Sequence, residues 1–433
     1  MPQRRSEENG VKRGGFVIGK KFLCLALAIL SGTFATVGCS ENSTEKTVIG
    51  KFEQSDYLKV VGTQVKKDYG NGQEVKLRGT NAGGYLLIEQ WMTAVNSLDH
   101  KTATESFTKR FGEETTQDIW AAYRDNFWSE QDFVNCANMG MTVIRLPFSY
   151  MNVDFNGQYD FGQLDEFIEG AAKYGIYTIL DLHGAYGSQN GRDHSGEVVS
   201  SVNDRDFYRN EIKKSKTVAL WRALAEHYLD NPAVAAFDLL NEPAEDEGPG
   251  NVTSERHWEF YDRLYDAVRE VDEDRIIIFE SCWSATNLPS PDVYGWENCI
   301  YSYHLYADND GVAAQGPAYE KLINDVKAAD YGVPNYMGEF CCYKYEDAWE
   351  YVLKLMNDNG WHWTNWGYKG NGNLTGWGIY VTKAQRVNPA VNELELIYER
   401  FKDISTASEL TTLTRFQSGK TLAEIIKEAC KTN

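Results

Sequence analysis

Eight short strand-like segments recur along the chain, separated by stretches with helical periodicity. They cover 75–79, 142–147, 177–182, 234–240, 275–280, 300–304, 335–338 and 362–366. Several are continuous apolar runs, such as Ile276-Ile277-Ile278-Phe279, rather than alternating ones. Such runs mark strands buried on both faces, as in a parallel sheet. Parallel neighbours need a crossover, and amphipathic patterns at 164–168, 218–228, 258–271, 319–329 and 347–356 supply it, with a closing helix at 388–401. Strictly alternating βα units in this number predict an α/β fold, the (β/α)8 TIM barrel. Its span is read as 56–404, and the 433 residues leave room for one barrel with insertions. Ahead of it, strands at 58–61 and 74–77 joined at Asn71-Gly72 predict an N-terminal hairpin that caps the barrel floor. Residues 405–433 form a C-terminal extension, in which amphipathic 422–429 predicts a helix docked on the outside.

In a barrel of this kind, side chains at the C-terminal strand ends point into the site. Six segments end on polar or aromatic groups: Arg145, His183, Asn241-Glu242, His304-Leu305-Tyr306, Glu339 and Trp366. Two glutamates at two strand ends are what retaining sugar hydrolysis requires, with carboxyls about 5–5.5 Å apart. Glu339 beside Arg145 would be the ionised nucleophile, and Glu242, desolvated near His304, would stay protonated as the acid. Asn241 is placed to bond the sugar 2-OH, Tyr306 to donate to the nucleophile, and Trp366 to floor the sugar.

This set of residues resembles glycoside hydrolase family 5, over about 56–388. The resemblance implies a retaining (β/α)8 enzyme whose acid, Glu242, ends the fourth strand and whose nucleophile, Glu339, ends the seventh. It implies substrate-binding roles for Arg145, His183, Asn241, His304, Tyr306 and Trp366. Two longer stretches resemble exo-β-1,3-glucanase and β-glucosidase-type members: Arg78-Gly79-Thr80-Asn81-Ala82-Gly83-Gly84-Tyr85-Leu86-Leu87-Ile88-Glu89, and Asp181-Leu182-His183-Gly184-Ala185-Tyr186-Gly187-Ser188-Gln189-Asn190-Gly191. Tyr186 replaces a proline of the second motif, and Arg192 and Asn309 stand where those enzymes carry two phenylalanines. Glu89, on the loop after the first strand, would accept a charge-assisted bond from the free 4-OH of a chain end, which an internal β-1,4-linked unit lacks. The expected activity is exo-acting hydrolysis of β-linked glucans or gluco-oligosaccharides. An endo-β-1,4-glucanase and a non-catalytic, glycan-binding surface lipoprotein are the alternatives.

The chemistry calls for no cofactor. No CxxC or Cys/His cluster suggests a metal. A net charge of −20 argues against nucleic acid as a partner, and a monomer is expected. At the N-terminus, six basic residues precede an apolar run at 22–37, which is too short for a comfortable span. With Ala35-Thr36-Val37-Gly38-Cys39 it resembles a bacterial lipoprotein signal: 1–38 removed, Cys39 lipidated, and 39–55 a polar tether. The expectation is secretion, with membrane contact only through a lipid anchor in the bacterial cell envelope.

Overall fold

The computed structural model describes residues 49–201, 204–243, 254–281, 284, 287–307, 311–372 and 376–431. At its centre is a closed barrel of eight strands. In chain order these are β1 (Arg78–Asn81), β2 (Val143–Ser149), β3 (Tyr177–Gly184), β4 (Val234–Asp238), β5 (Ile276–Glu280), β6 (Cys299–Leu305), β7 (Asn335–Phe340) and β8 (His362–Asn365). Sequential strands pair in parallel, and β8 closes on β1 through Trp363↔Arg78. The fold is the (β/α)8 barrel. Parallel pairing brings all C-terminal strand ends to one rim. There Asn81 lies opposite Arg145, Glu280 opposite Ser302, and His304 opposite Glu339.

Three helices fill the connection from β1 to β2: α1 (His100–Phe111), α2 (Glu113–Phe127) and α3 (Glu130–Asn138). Their starts are written locally. Asp99 caps α1 by accepting from Thr102 N at 2.7 Å, and Ser129 with Asp132 forms a capping box on α3. The outer layer continues with α4 (Gly162–Ala172), α5 (Glu211–His227), α6 (Ser254–Arg269), α7 (Val312–Ala329), α8 (Glu346–Asp358), α9 (Leu394–Lys402) and α10 (Leu422–Lys431). Beyond β8, Lys369–Asn371, Tyr380–Thr382 and Thr412–Leu413 form a small mixed sheet. The helix expected at 422–429 is α10; it packs on α8, where Asn357 Nδ2 donates to Ala429 O at 2.9 Å.

The hairpin differs from its reading. Lys59–Val61 pairs with Gln64–Lys66, so the turn is Gly62-Thr63 and not Asn71-Gly72. Val75 N still bonds Val65 O at 2.8 Å, which keeps 75 with the hairpin and delays β1 to Arg78. The hairpin segment does lie against the N-terminal strand ends. Val60 N donates to Asn298 Oδ1 at 2.8 Å, Tyr177 OH donates to Asp56 O at 2.8 Å, and Arg275 lies over the Tyr57 ring. The closing helix starts at Leu394 rather than 388, because Asn388 N is taken by the Asn392 side chain in a turn. No helix among the described residues is long and apolar enough to cross a membrane. The run at 22–37, Cys39 and the tether up to 48 lie outside the described residues.

Candidate active site

Arg145 on β2 anchors the C-terminal rim. It is fully buried, and its guanidinium reaches four strand ends. Nε donates to Asp238 Oδ2 at 2.9 Å, Nη1 to Glu339 Oε1 at 2.8 Å and to Asn81 Oδ1 at 3.1 Å, and Nη2 to Asn241 Oδ1 at 2.9 Å. Asp181 Oδ1 lies 3.1 Å from Nη2. A buried cation surrounded by acids is tolerable because nearly every donor is used. The network also orients Asn241. With its carbonyl oxygen bound to Arg145, its amide NH2 is the group left to face a ligand.

Glu339 accepts from Arg145 on one oxygen and from Tyr306 OH on the other, at 2.7 Å. Glu242 Oε1 lies 3.0 Å from His304 Nδ1, and Glu339 Oε2 lies 3.6 Å from the same nitrogen. Two oxygens this close to one atom cannot reach the middle of the inverting range, about 6.5–9.5 Å, which leaves the retaining separation of about 5–5.5 Å open to them. Gly338 permits the approach of β6 and β7, since a Cβ there would stand 2.7 Å from His304 Nε2.

The charge on Glu242 differs from expectation. Burial alone would raise its pKa, but the His304 hydrogen bond and the nearby imidazoles hold it low. Burial likewise opposes the charge on His304, yet Glu280, Glu339 and Glu242 together lift it to about 9. The same contacts favour the charged pair, imidazolium at His304 and carboxylate at Glu242. Proximity to His304, invoked to keep the acid protonated, has the opposite effect because the imidazole takes the proton.

The other expected residues assemble on the same rim. His183 Nδ1 is 2.6 Å from Asp181 Oδ2, and burial holds the ring neutral, with its pKa down to about 3. Its ring stacks on Trp366 at 5.4 Å and 10°. Gly83 makes room for that tryptophan, as a Cβ would stand 2.7 Å from its ring. Asn241 Nδ2 lies 3.4 Å from His183 Nε2. Glu89 is buried, and its Oε2 accepts from Trp91 Nε1 at 2.7 Å. Burial is the main cause that pushes Glu89 up to about 8, with Glu339, Asp193 and Glu242 adding to it. At pH 7 this burial favours the neutral form of the carboxyl. A carboxyl that keeps its proton donates a hydrogen bond, where the sequence reading expected an ionised Glu89 to accept one.

With this geometry in place, comparison with known proteins decides the family. The family model described as Cellulase (glycosyl hydrolase family 5) matches residues 88–372. The chain belongs to glycosyl hydrolase family 5. A beta-xylosidase of Phanerodontia chrysosporium is 30% identical over 262 residues, 58% of this chain and 52% of that protein. A probable glucan 1,3-beta-glucosidase A of Aspergillus fumigatus is 31% identical over 221 residues, 48% of this chain and 51% of that protein. The chain spans about half the length of the curated relatives it matches. A rutinosidase structure from Aspergillus niger shares the fold, with TM-score 0.56 and 17% identity over 70% of this chain and 92% of that one.

Within this family 5 domain, four residues around the rim were given no role in the sequence reading. Asp181 and Asp238 complete the Arg145 network. His194 Nε2 stands 3.3 Å from Glu242 Oε2, brought there by a turn held by Asn190, and nothing local in the sequence marks it. Glu280 is 2% exposed at the end of β5; a carboxylate closing the run Ile276-Ile277-Ile278-Phe279 was a legible signal, of the same design as Glu339. Of the two residues standing for phenylalanines, Arg192 is exposed, and Asn309 lies outside the described residues. Tyr186 stacks on Tyr150 at 4.4 Å and donates to Asp154 Oδ2 at 2.6 Å, so it serves the loop's packing. Cys341 and Cys342 are buried behind β7, and the five described cysteines are free thiols; Cys282 lies outside the described residues.

Proposed function

We propose that this chain is a retaining β-glycosidase that removes sugar from the end of β-linked glucans or gluco-oligosaccharides. The observation that carries the reading is the pair Glu242 and Glu339, facing each other across His304 Nδ1. Glu339 is the nucleophile: Arg145 and Tyr306 hold both its oxygens, leaving its attack direction defined. Glu242 is the acid/base, and the proton it delivers comes from His304 Nδ1, one hydrogen bond away. As a substrate displaces water from Glu242, its carboxylate loses solvation and the proton shifts onto it. The departing group leaves through a cavity of about 330 Å³ that opens beside Glu242 and is lined by Ser281, Ser284, Tyr303 and Leu322. Trp366, His183 and Asn241 bind the sugar that becomes covalently attached, and Glu89 reads its terminal hydroxyl. The glucan 1,3-beta-glucosidase name of a relative supports a glucan substrate.

Two inversions at one carbon give net retention. NMR of the first product formed from an aryl β-glucoside is the test: β anomer is expected, and initial α anomer would remove Glu339 as nucleophile. An aryl β-xyloside run in parallel asks whether the sugar follows the beta-xylosidase relative instead. We further infer that Cys39 is lipidated and the enzyme exported to the cell envelope, a reading supported by the basic and apolar pattern before it.

A further inference from the structure

Glu280 has no role in the reaction as set out above, yet it is tied to both groups that handle the proton. Its Oε2 accepts the backbone N–H of Glu242 at 2.9 Å. Its Oε1 lies 3.2 Å from His304 Nδ1, the nitrogen that bonds Glu242. The ligand atoms of Glu242, Glu280 and His304 all fall within 4.8 Å of one another. Glu242 itself sits at φ +38°, a left-handed backbone that a non-glycine residue holds only when its surroundings enforce it. Two side chains hold that backbone: Glu280 accepts the Glu242 N–H, and Asn190 Nδ2 donates to the Glu242 carbonyl at 3.2 Å. Glu280 is in turn fixed from behind, where Tyr261 OH on α6 donates to its carbonyl at 3.1 Å.

We propose that Glu280 is the positioning residue of this site: it holds Glu242 in its strained turn and keeps the transferable proton on His304 Nδ1 within reach of Glu242. The inference rests on the reading of Glu242 as acid/base. The charged groups acting on Glu280 are His304 from β6, Glu242 and Asp238 from β4 and its end, and Arg145 from β2. Burial and the neighbouring carboxylates oppose the charge on Glu280, and the His304 imidazole and the Arg145 guanidinium beside it favour that charge. Among the acids that lift the His304 pKa, Glu280 is the foremost. Each turnover then runs as a closed proton cycle. The N–H proton of His304 passes to Glu242 and on to the leaving oxygen, and the water that attacks the glycosyl-enzyme returns one proton to Glu242 and His304. No oxidant, reductant or further reactant enters.

The test compares two substrates, an activated aryl β-glucoside and an alkyl β-glucoside, in the full chain. General-acid help is worth about 10²–10⁴-fold, and it matters where the leaving group is poor. Glu280→Gln keeps an oxygen to accept the Glu242 N–H but has no acidic group for His304. It should lose about tenfold more rate on the alkyl than on the aryl substrate. The basic limb of its kcat/KM profile should move to lower pH, because His304 loses the neighbour that keeps it protonated. Glu280→Asp, which keeps the acid and shortens its reach, should show the same substrate dependence with the limb nearer wild type. Equal losses on both substrates with an unmoved limb, in whichever variant folds, would overturn the proposal and leave Glu280 a packing residue. Glu242→Ala separates the two readings. If that variant spares the aryl substrate while the Glu280 variants show no substrate dependence, the positioning role fails alone. If Glu242→Ala shows none either, the acid/base assignment has failed first.

Discussion

At the scale of single residues, the two glutamates should part company on substitution. On the proposed reading Glu339→Ala is expected to abolish turnover of every substrate, since it removes the carboxylate that attacks the sugar. Glu242→Ala should spare glycosylation by activated aryl glucosides, whose leaving groups need little protonation, and slow the return of water afterwards. A burst followed by slow steady state is the expected trace, and its absence would exchange the roles. Glu89 has its own signature. A folded-state value near 8, above the ordinary carboxylate value, means stability is present at low pH and lost as pH rises from about 4.3 through about 8. Glu89→Gln, permanently neutral, should therefore show its largest gain in Tm over wild type at alkaline pH. In activity, the amide should keep much of the donor contact, whereas Glu89→Ala should cost about 1–3 kcal/mol in kcat/KM, a loss that shrinks on a 4-deoxy glycoside. Equal behaviour of the two variants would return Glu89 to a loop-packing role.

Elements bring a second kind of dependence, in which inserted helices are pinned to the barrel by buried charge. Asp132 on α3 is fully buried; it accepts from Tyr368 OH at 2.8 Å and lies 3.2 Å from Lys369 Nζ, itself 1% exposed. It also caps α3 through Ser129 N at 2.7 Å, and Thr406 donates to it. One carboxylate thus joins the insertion after β1, the sheet after β8 and the tail beyond α9. Asp132→Ala leaves the Lys369 ammonium with the neutral acceptors Phe127 O and Thr406 Oγ1 but without its counter-charge, and such breakage of a buried pair costs about 3–5 kcal/mol. Burial already lowers the Lys369 pKa, and losing its partner lowers it further. The unfolded chain then binds the extra proton, so the deficit should shrink as pH rises toward the ordinary lysine value. Urea unfolding at pH 7 and pH 9.5 measures both, and a deficit independent of pH would assign the loss to the helix cap alone.

For the whole molecule, the mode of attack and the place of work are the open quantities. An exo enzyme acting on a long β-glucan should release mono- or short saccharides while viscosity falls slowly; a rapid fall with mixed oligosaccharides would promote the endo-β-1,4-glucanase alternative and leave the catalytic pair untouched. Cells expressing the full chain should carry it in the membrane fraction, and Cys39→Ser should release it. Equal partition of both forms would leave ordinary secretion.

The barrel and most of its rim were legible because both are written in short-range pattern. Runs such as Ile276 to Phe279 declare strands buried on both faces, and Glu242, Glu339, His304 and Trp366 follow strands whose ends a parallel barrel must gather. The start of β1 was misplaced because Val75 chooses its partner, Val65, in competition with the barrel, and strand choice is not local. His194 reaches Glu242 through a loop whose course depends on Asn190, and Asp181 and Asp238 matter only once Arg145 lies between them. Short-range pattern alone therefore named the two glutamates and most of the rim around them, but not His194 or the role of Asp181, Asp238 and Glu280. The charges those groups favour came from the folded arrangement, which supports imidazolium at His304, carboxylate at Glu242 and a neutral carboxyl at Glu89. A pKa depends on burial and on charges a few ångströms away, and those neighbours come from strands far apart in the chain.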